Sequence, residues 1–91
     1  MSLFLQSMCM MGWKYAEENE KFVRLELGEG DTLVSLKVHA PYGSPVKVTF
    51  WSKGTGEFSR EFESLPAIAG YTGKPDTLLT RLNAEVHPNS G

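Results

Sequence analysis

The chain has little of what usually announces a function. It carries one cysteine, Cys9, in 91 residues. A lone thiol cannot close an internal disulfide, so a disulfide-stapled secreted module is excluded and a reducing, cytoplasmic setting is expected. Histidines are scarce as well, His39 and His87, and no Cys-X-X-Cys or His-X-X-X-His spacing occurs. Neither a metal centre nor a cofactor is expected from such a set. No apolar run approaches the about 20 residues that cross a bilayer as a helix. The opening Met1-Ser-Leu-Phe-Leu-Gln-Ser-Met8 has no Lys or Arg ahead of its apolar residues, so it lacks the basic start of a signal peptide. A surplus of positive charge is missing too: nine Lys and Arg stand against eleven Asp and Glu, a net charge of -2. That balance argues against a nucleic-acid binder working mainly by phosphate neutralisation. Gly28-Glu-Gly30 and Gly54-Thr-Gly56 lack the Gly-Lys-Ser/Thr continuation of a phosphate loop and read as turns.

What the chain does have is alternation. In Val46-Lys-Val-Thr-Phe-Trp-Ser-Lys53, Val46, Val48 and Phe50 share one parity, and Lys47, Thr49 and Trp51 the other. A period of two is the mark of a strand with one buried face. Phe22–Leu27 repeats it with Val23, Leu25 and Leu27 inward. Thr32–Ala40 does so with Val34, Leu36, Val38 and Ala40, and Glu57–Ser64 with Phe58 and Phe62. A first strand is expected over Met8–Ala16, with Trp13 opposite Leu25 and Tyr15 opposite Val23. Its turn is Glu18-Asn19-Glu20, with Asn19 left-handed. Turn geometry pairs Leu25 with Val34, Lys37 with Thr49, Lys47 with Glu63, and Phe50 with Arg60. Arg60 thus falls on the apolar side, which points to a strand-edge position rather than a buried free charge.

After Ser64 the rhythm breaks. Leu65–Asp76 holds two Pro and two Gly and reads as a long apolar loop with Ile68 and Tyr71 at its exposed crown. Thr77–His87 alternates and is read as a sixth strand; a helix capped by Asp76 is the alternative. The expected fold is therefore a single all-β domain over residues 1–91. Its antiparallel meander of five to six strands closes as a small barrel or sandwich with little helix. It becomes α+β if 76–86 is a helix packed on the sheet. Residues 1–7 are expected to be disordered or a cloning remnant, and 88–91 a frayed tail.

Candidate chemistry is thin. Glu57, Glu61 and Glu63 share a strand face at a spacing that acid–base hydrolysis could use, although charge rows of this kind are ordinary on a solvated sheet. A Cys9/His39 dyad needs the fold to join distant positions. Trp51 is more informative, because it sits on the outer parity with Lys37 and Lys47, beside Lys53, while Phe22 shares that parity. Aromatics among lysines on a sheet suit a protein interface, or stacking of single-stranded nucleic acid or carbohydrate. The neighbouring glutamates dilute the positive potential and favour protein. The resulting expectation is a non-enzymatic binding or assembly module that self-associates as a homodimer or binds a protein partner. It would use Trp51, Phe22, Lys37, Lys47 and Lys53 on the sheet, with Ile68 and Tyr71 on the loop. No membrane partner is expected.

Overall fold

The structure, a computed structural model, describes residues 2–73 and 75–86. The tail at 88–91 lies outside them. Five antiparallel strands form one sheet in the order β1 (Lys14–Glu18), β2 (Phe22–Leu27), β3 (Val34–His39), β4 (Val46–Ser52) and β5 (Gly56–Phe62). β1 and β5 are its two ends, and no pairing joins them. The sheet is neither a barrel nor half of a sandwich. Three helices, α1 (Ser2–Met10), α2 (Leu65–Thr72) and α3 (Pro75–Val86), supply the buried residues that meet its apolar face, so the class is α+β. The alternation-based reading correctly required a cover for that face. Segments flanking the meander provide it in place of closure or a second sheet.

The inward parity holds across the sheet. Val23, Leu25, Val34, Leu36, Val38, Val46, Val48 and Phe50 are buried. From the helices, Phe4, Met8, Ile68, Leu78 and Leu82 complete the same core. Burying a side chain of this size contributes about 1.5–3 kcal/mol each, so the helices are part of the stability and not an appendage.

Each helix corrects an expectation. Where no element was expected ahead of Met8, residues 2–7 lie in α1, and Phe4 and Met8, four apart, share its buried face. The expected strand over Met8–Ala16 fails in its first half because Gly12 stops a helix. Gly12 takes φ 100, its N–H bonds Cys9 O at 3.0 Å, and the Trp13 N–H bonds Met8 O at 3.1 Å. Those two bonds form a Schellman cap, which favours glycine at that position. The expected loop at Leu65 is α2. Ser64 Oγ accepts from the Ala67 N–H at 3.4 Å, Pro66 stands in the first turn, and Ile68 and Thr72 are buried one turn apart. The sixth strand is α3, beginning at Pro75. Leu78 and Leu82 go into the core while Thr80 and Ala84 of the same alternating set stay exposed, so a period near four governs this segment.

Register shows where turn chemistry misled. Lys37 lies opposite Thr49 as expected. Leu25 faces Leu36 rather than Val34, because a 3-10 turn at Gly30–Thr32 lengthens the connection. Phe50 faces Phe58 rather than Arg60, and Lys47 faces Glu61 rather than Glu63, because the tighter turn closes at Ser52 and Gly56. Both shifts are by two residues, so every side chain keeps its face. At the β1 edge, Tyr15 lies opposite Leu25 rather than Val23, and a bulge separates Tyr15 from Glu17. Asn19 is not left-handed: no non-glycine residue among those described has positive φ. Its Oδ1 accepts instead from the N–H groups of Lys21 and Phe22, at 2.7 and 3.1 Å.

Candidate functional site: the open face of the sheet

With helices on one side, the sheet presents its other face to solvent. The ladder places the outer residues in rows across the strands. One row runs Lys14–Glu26–Ser35–Trp51–Glu57, the next Arg24–Lys37–Thr49–Ser59, and a third ends in Lys47–Glu61. Trp51 is 39% exposed, against 0% for Phe50 beside it in sequence. It borders a shallow depression of about 290 Å³ whose other walls include Leu33, Arg24 and Glu57.

The surroundings of Trp51 are polar and largely self-paired. Arg24 holds Glu26 at 2.7 Å and Glu17 at 3.4 Å. Lys37 lies 4.5 Å from the centre of the Phe22 ring, whose edge meets His39 at 6.3 Å. His39 Nε2 shares a hydrogen bond of 2.9 Å with Thr49 Oγ1, which continues to Ser59 Oγ at 3.0 Å. Partial burial first, then Lys47 and Lys37, lowers the His39 pKa from its ordinary value. The imidazole serves as a hydrogen-bonding member of the row. Lys53 stands apart in the β4–β5 turn, paired with Asp31 at 2.8 Å.

The two loop candidates belong elsewhere. Ile68 is fully buried in α2, so it forms no exposed crown. Tyr71 packs its ring on Phe62 and Phe50, at 5.4 and 5.9 Å between centres. Its hydroxyl donates to Glu85 at 2.9 Å. Arg60 forms an ion pair with the same Glu85 and lays its guanidinium 4.7 Å from the centres of both the Tyr71 and Phe62 rings. Burial, then the Glu85 hydrogen bond, pushes the Tyr71 pKa up to about 12. This cluster explains how Arg60 sits on the apolar side: it lies at the sheet end, half exposed, with a carboxylate from α3. Only the strand-edge half of that arrangement was legible, since its partner came from a segment read as a strand.

Other candidates separate in space. Cys9 is exposed on a helix of the covered side, and His39 is on the open side, so the sheet stands between them. Glu61 faces Lys47 across the ladder, and Glu63 lies beyond the end of β5. Among the described residues no three His, Cys, Asp or Glu gather closely enough to hold a metal ion. Sequence reasoning missed an apolar groove of about 310 Å³ between α1 and α2, walled by Leu3, Phe4, Leu65 and Pro66. Gly12 was the available signal for α1.

Comparison with protein-family models, with curated proteins and with solved structures returns no match. The functional reading therefore rests on the fold and on this face.

Proposed function

We propose that the protein is a non-enzymatic binding module whose open sheet face docks a protein partner or a second copy of the chain, with Trp51 as anchor. The observation that carries this reading is the position of Trp51: a large aromatic ring, 39% exposed, on β4 one strand in from the β5 edge, on the sheet face that no described helix covers. Leaving such a ring in water forgoes the burial that drives association, and Trp is enriched among interface anchors. The charges around it alternate in sign, with Lys47 beside Glu61, and Glu57 beside Trp51 itself. A polyphosphate backbone gains little from so mixed a surface, whereas a protein surface of matching pattern gains orientation. Ile68 lies in the core and Tyr71 packs on Phe50 and Phe62, so neither joins this face.

Light scattering at micromolar concentration tests the self-association arm. A dimer of about 20 kDa that Trp51→Ala returns to monomer is the expected result. A heterologous partner is tested by capture from native lysate, with Trp51→Ala as control. A monomer from which no protein is lost on that substitution overturns the reading. The depression beside Trp51 favours one second reading, the stacking of a sugar or of single-stranded nucleic acid. Tryptophan fluorescence during glycan and oligonucleotide titration checks it, and a flat response to both removes it. Trp13 is buried at 2% exposure, so the responsive signal belongs to Trp51.

A further inference from the structure

The two ends of the sheet are not alike. β1 has five residues, all exposed, three of them charged, and it bulges between Tyr15 and Glu17. Shortness, charge and a bulge are the usual devices that keep an edge from accepting another strand. β5 is also charged, with Glu57, Arg60 and Glu61, but it is neither short nor bulged. It runs seven residues in unbroken register with β4, from Ser52↔Gly56 to Val46↔Phe62. Among the described residues, no backbone hydrogen bond reaches it from any element but β4. Half of its amide and carbonyl groups face away from β4, as in any edge strand, and are open to pairing.

Its outer side chains state what would pair there. Glu57, Ser59 and Glu61 point outward, and the two carboxylates end the Trp51 and Lys47 rows. They stand four residues apart, about 13 Å along the strand. On the inner side Phe58 is only partly buried, with its ring stacked 5.6 Å from Phe50. We propose that β5 takes up a sixth, antiparallel strand from a protein partner, an extended segment with Lys or Arg at two positions four apart and an apolar residue beside Phe58. A strand added about 4.8 Å away places each cation directly opposite a glutamate, and main-chain bonds provide the rest of the affinity. A second copy is the poorer occupant. Pairing the whole of β5 with itself about Ser59 sets Glu57 opposite Glu61 twice, and like charges directly opposite are destabilising. The proposal goes beyond the Trp51 reading: it stands on the edge, and it holds or fails separately from the face.

The test uses a labelled, end-capped peptide, Thr-Lys-Val-Thr-Val-Lys-Thr, titrated by fluorescence anisotropy at low salt. Three comparisons accompany it: the same peptide N-methylated at alternate amides, a version with Glu for Lys, and the protein variant Glu57→Lys/Glu61→Lys. Saturable binding is expected that weakens about tenfold or more on N-methylation. The double reversal should lose the Lys peptide and gain the Glu peptide by a similar factor. Should the reversal unfold the protein by circular dichroism, Glu57→Gln/Glu61→Gln replaces it, with a smaller loss expected. Trp51→Ala should leave peptide affinity within about twofold, which separates this result from the fate of the face. No saturation by about 1 mM overturns the proposal. So does equal binding of the N-methylated peptide, which would show charge attraction without strand pairing. Binding lost in Trp51→Ala but kept in the double variant overturns it as well, by returning the peptide to the face.

Discussion

Phe50 and Trp51 are neighbours in the chain with opposite roles, and that contrast is the sharpest test available at the level of single residues. Phe50 is fully buried, in ring contact with Phe58, Phe62 and Tyr71. Phe50→Ala should cost about 3–5 kcal/mol. Trp51→Ala removes a ring that lies partly in water and should cost about 1 kcal/mol or less. Urea denaturation of the two variants measures both, and equal losses would mean that Trp51 is a core residue. Tyr71 allows a prediction in pH. Its folded pKa is about 12 against an ordinary 10.0. A raised pKa means that the fold favours the protonated phenol. The stability it contributes is therefore complete below about pH 10 and fades as pH rises through about 12. Tyr71→Phe should lose less stability than wild type between about pH 9 and about pH 11, read as the shift in urea midpoint. Tyr15 and Tyr42 titrate identically in both proteins and cancel from the comparison. Tyr71 was misplaced and the partner of Arg60 missed for one reason: the Glu85 that both share is defined only once α3 is a helix.

The strands were legible and the helices were not, and the difference is physical. Val34–His39 and Val46–Ser52 each have one wet face and one dry face, so their composition records the pleat directly. α1 is apolar on nearly every side, with Leu3 and Met10 exposed as well as Phe4 and Met8 buried, so no helical stripe stands out. α3 happens to alternate, and α2 is short and contains Pro66 and Gly70, which resemble loop residues. In each case burial every fourth residue settled what the sequence left open. The consequence for α1 is measurable. Met8→Ala should cost about 2–5 kcal/mol, and Leu3→Ala, at 78% exposure, should cost almost nothing. Thermal melts of the pair decide whether the first helix belongs to the cooperative unit; a silent Met8→Ala would make it a loosely attached arm. Ser64→Ala should be milder, about 0.5 kcal/mol, since the 3.4 Å bond to the Ala67 N–H is long for a cap.

Taken whole, the molecule is a sheet with helices on one side, an open face on the other, one short bulged edge and one longer regular edge. Amide hydrogen exchange tells the two proposed docking modes apart, because each protects a different set of backbone groups. In the free protein the amides of β3, paired on both sides, should exchange slowest, near the global unfolding rate. Those of β5 that face away from β4 should exchange at least about tenfold faster. A partner seated on the Trp51 face makes side-chain contacts, so it should slow β5 and β3 by similar factors through stabilisation alone. A partner that adds a strand should slow the outward amides of β5 selectively, by giving them acceptors they lack in the free protein. The short bulged edge provides the internal control, since the amides of β1 should gain nothing beyond the global shift. Selective protection at β1 instead of β5 would mean that the bulge at Ala16 and the charges of Lys14, Glu17 and Glu18 do not guard that edge, and the asymmetry between the two ends would lose its functional meaning.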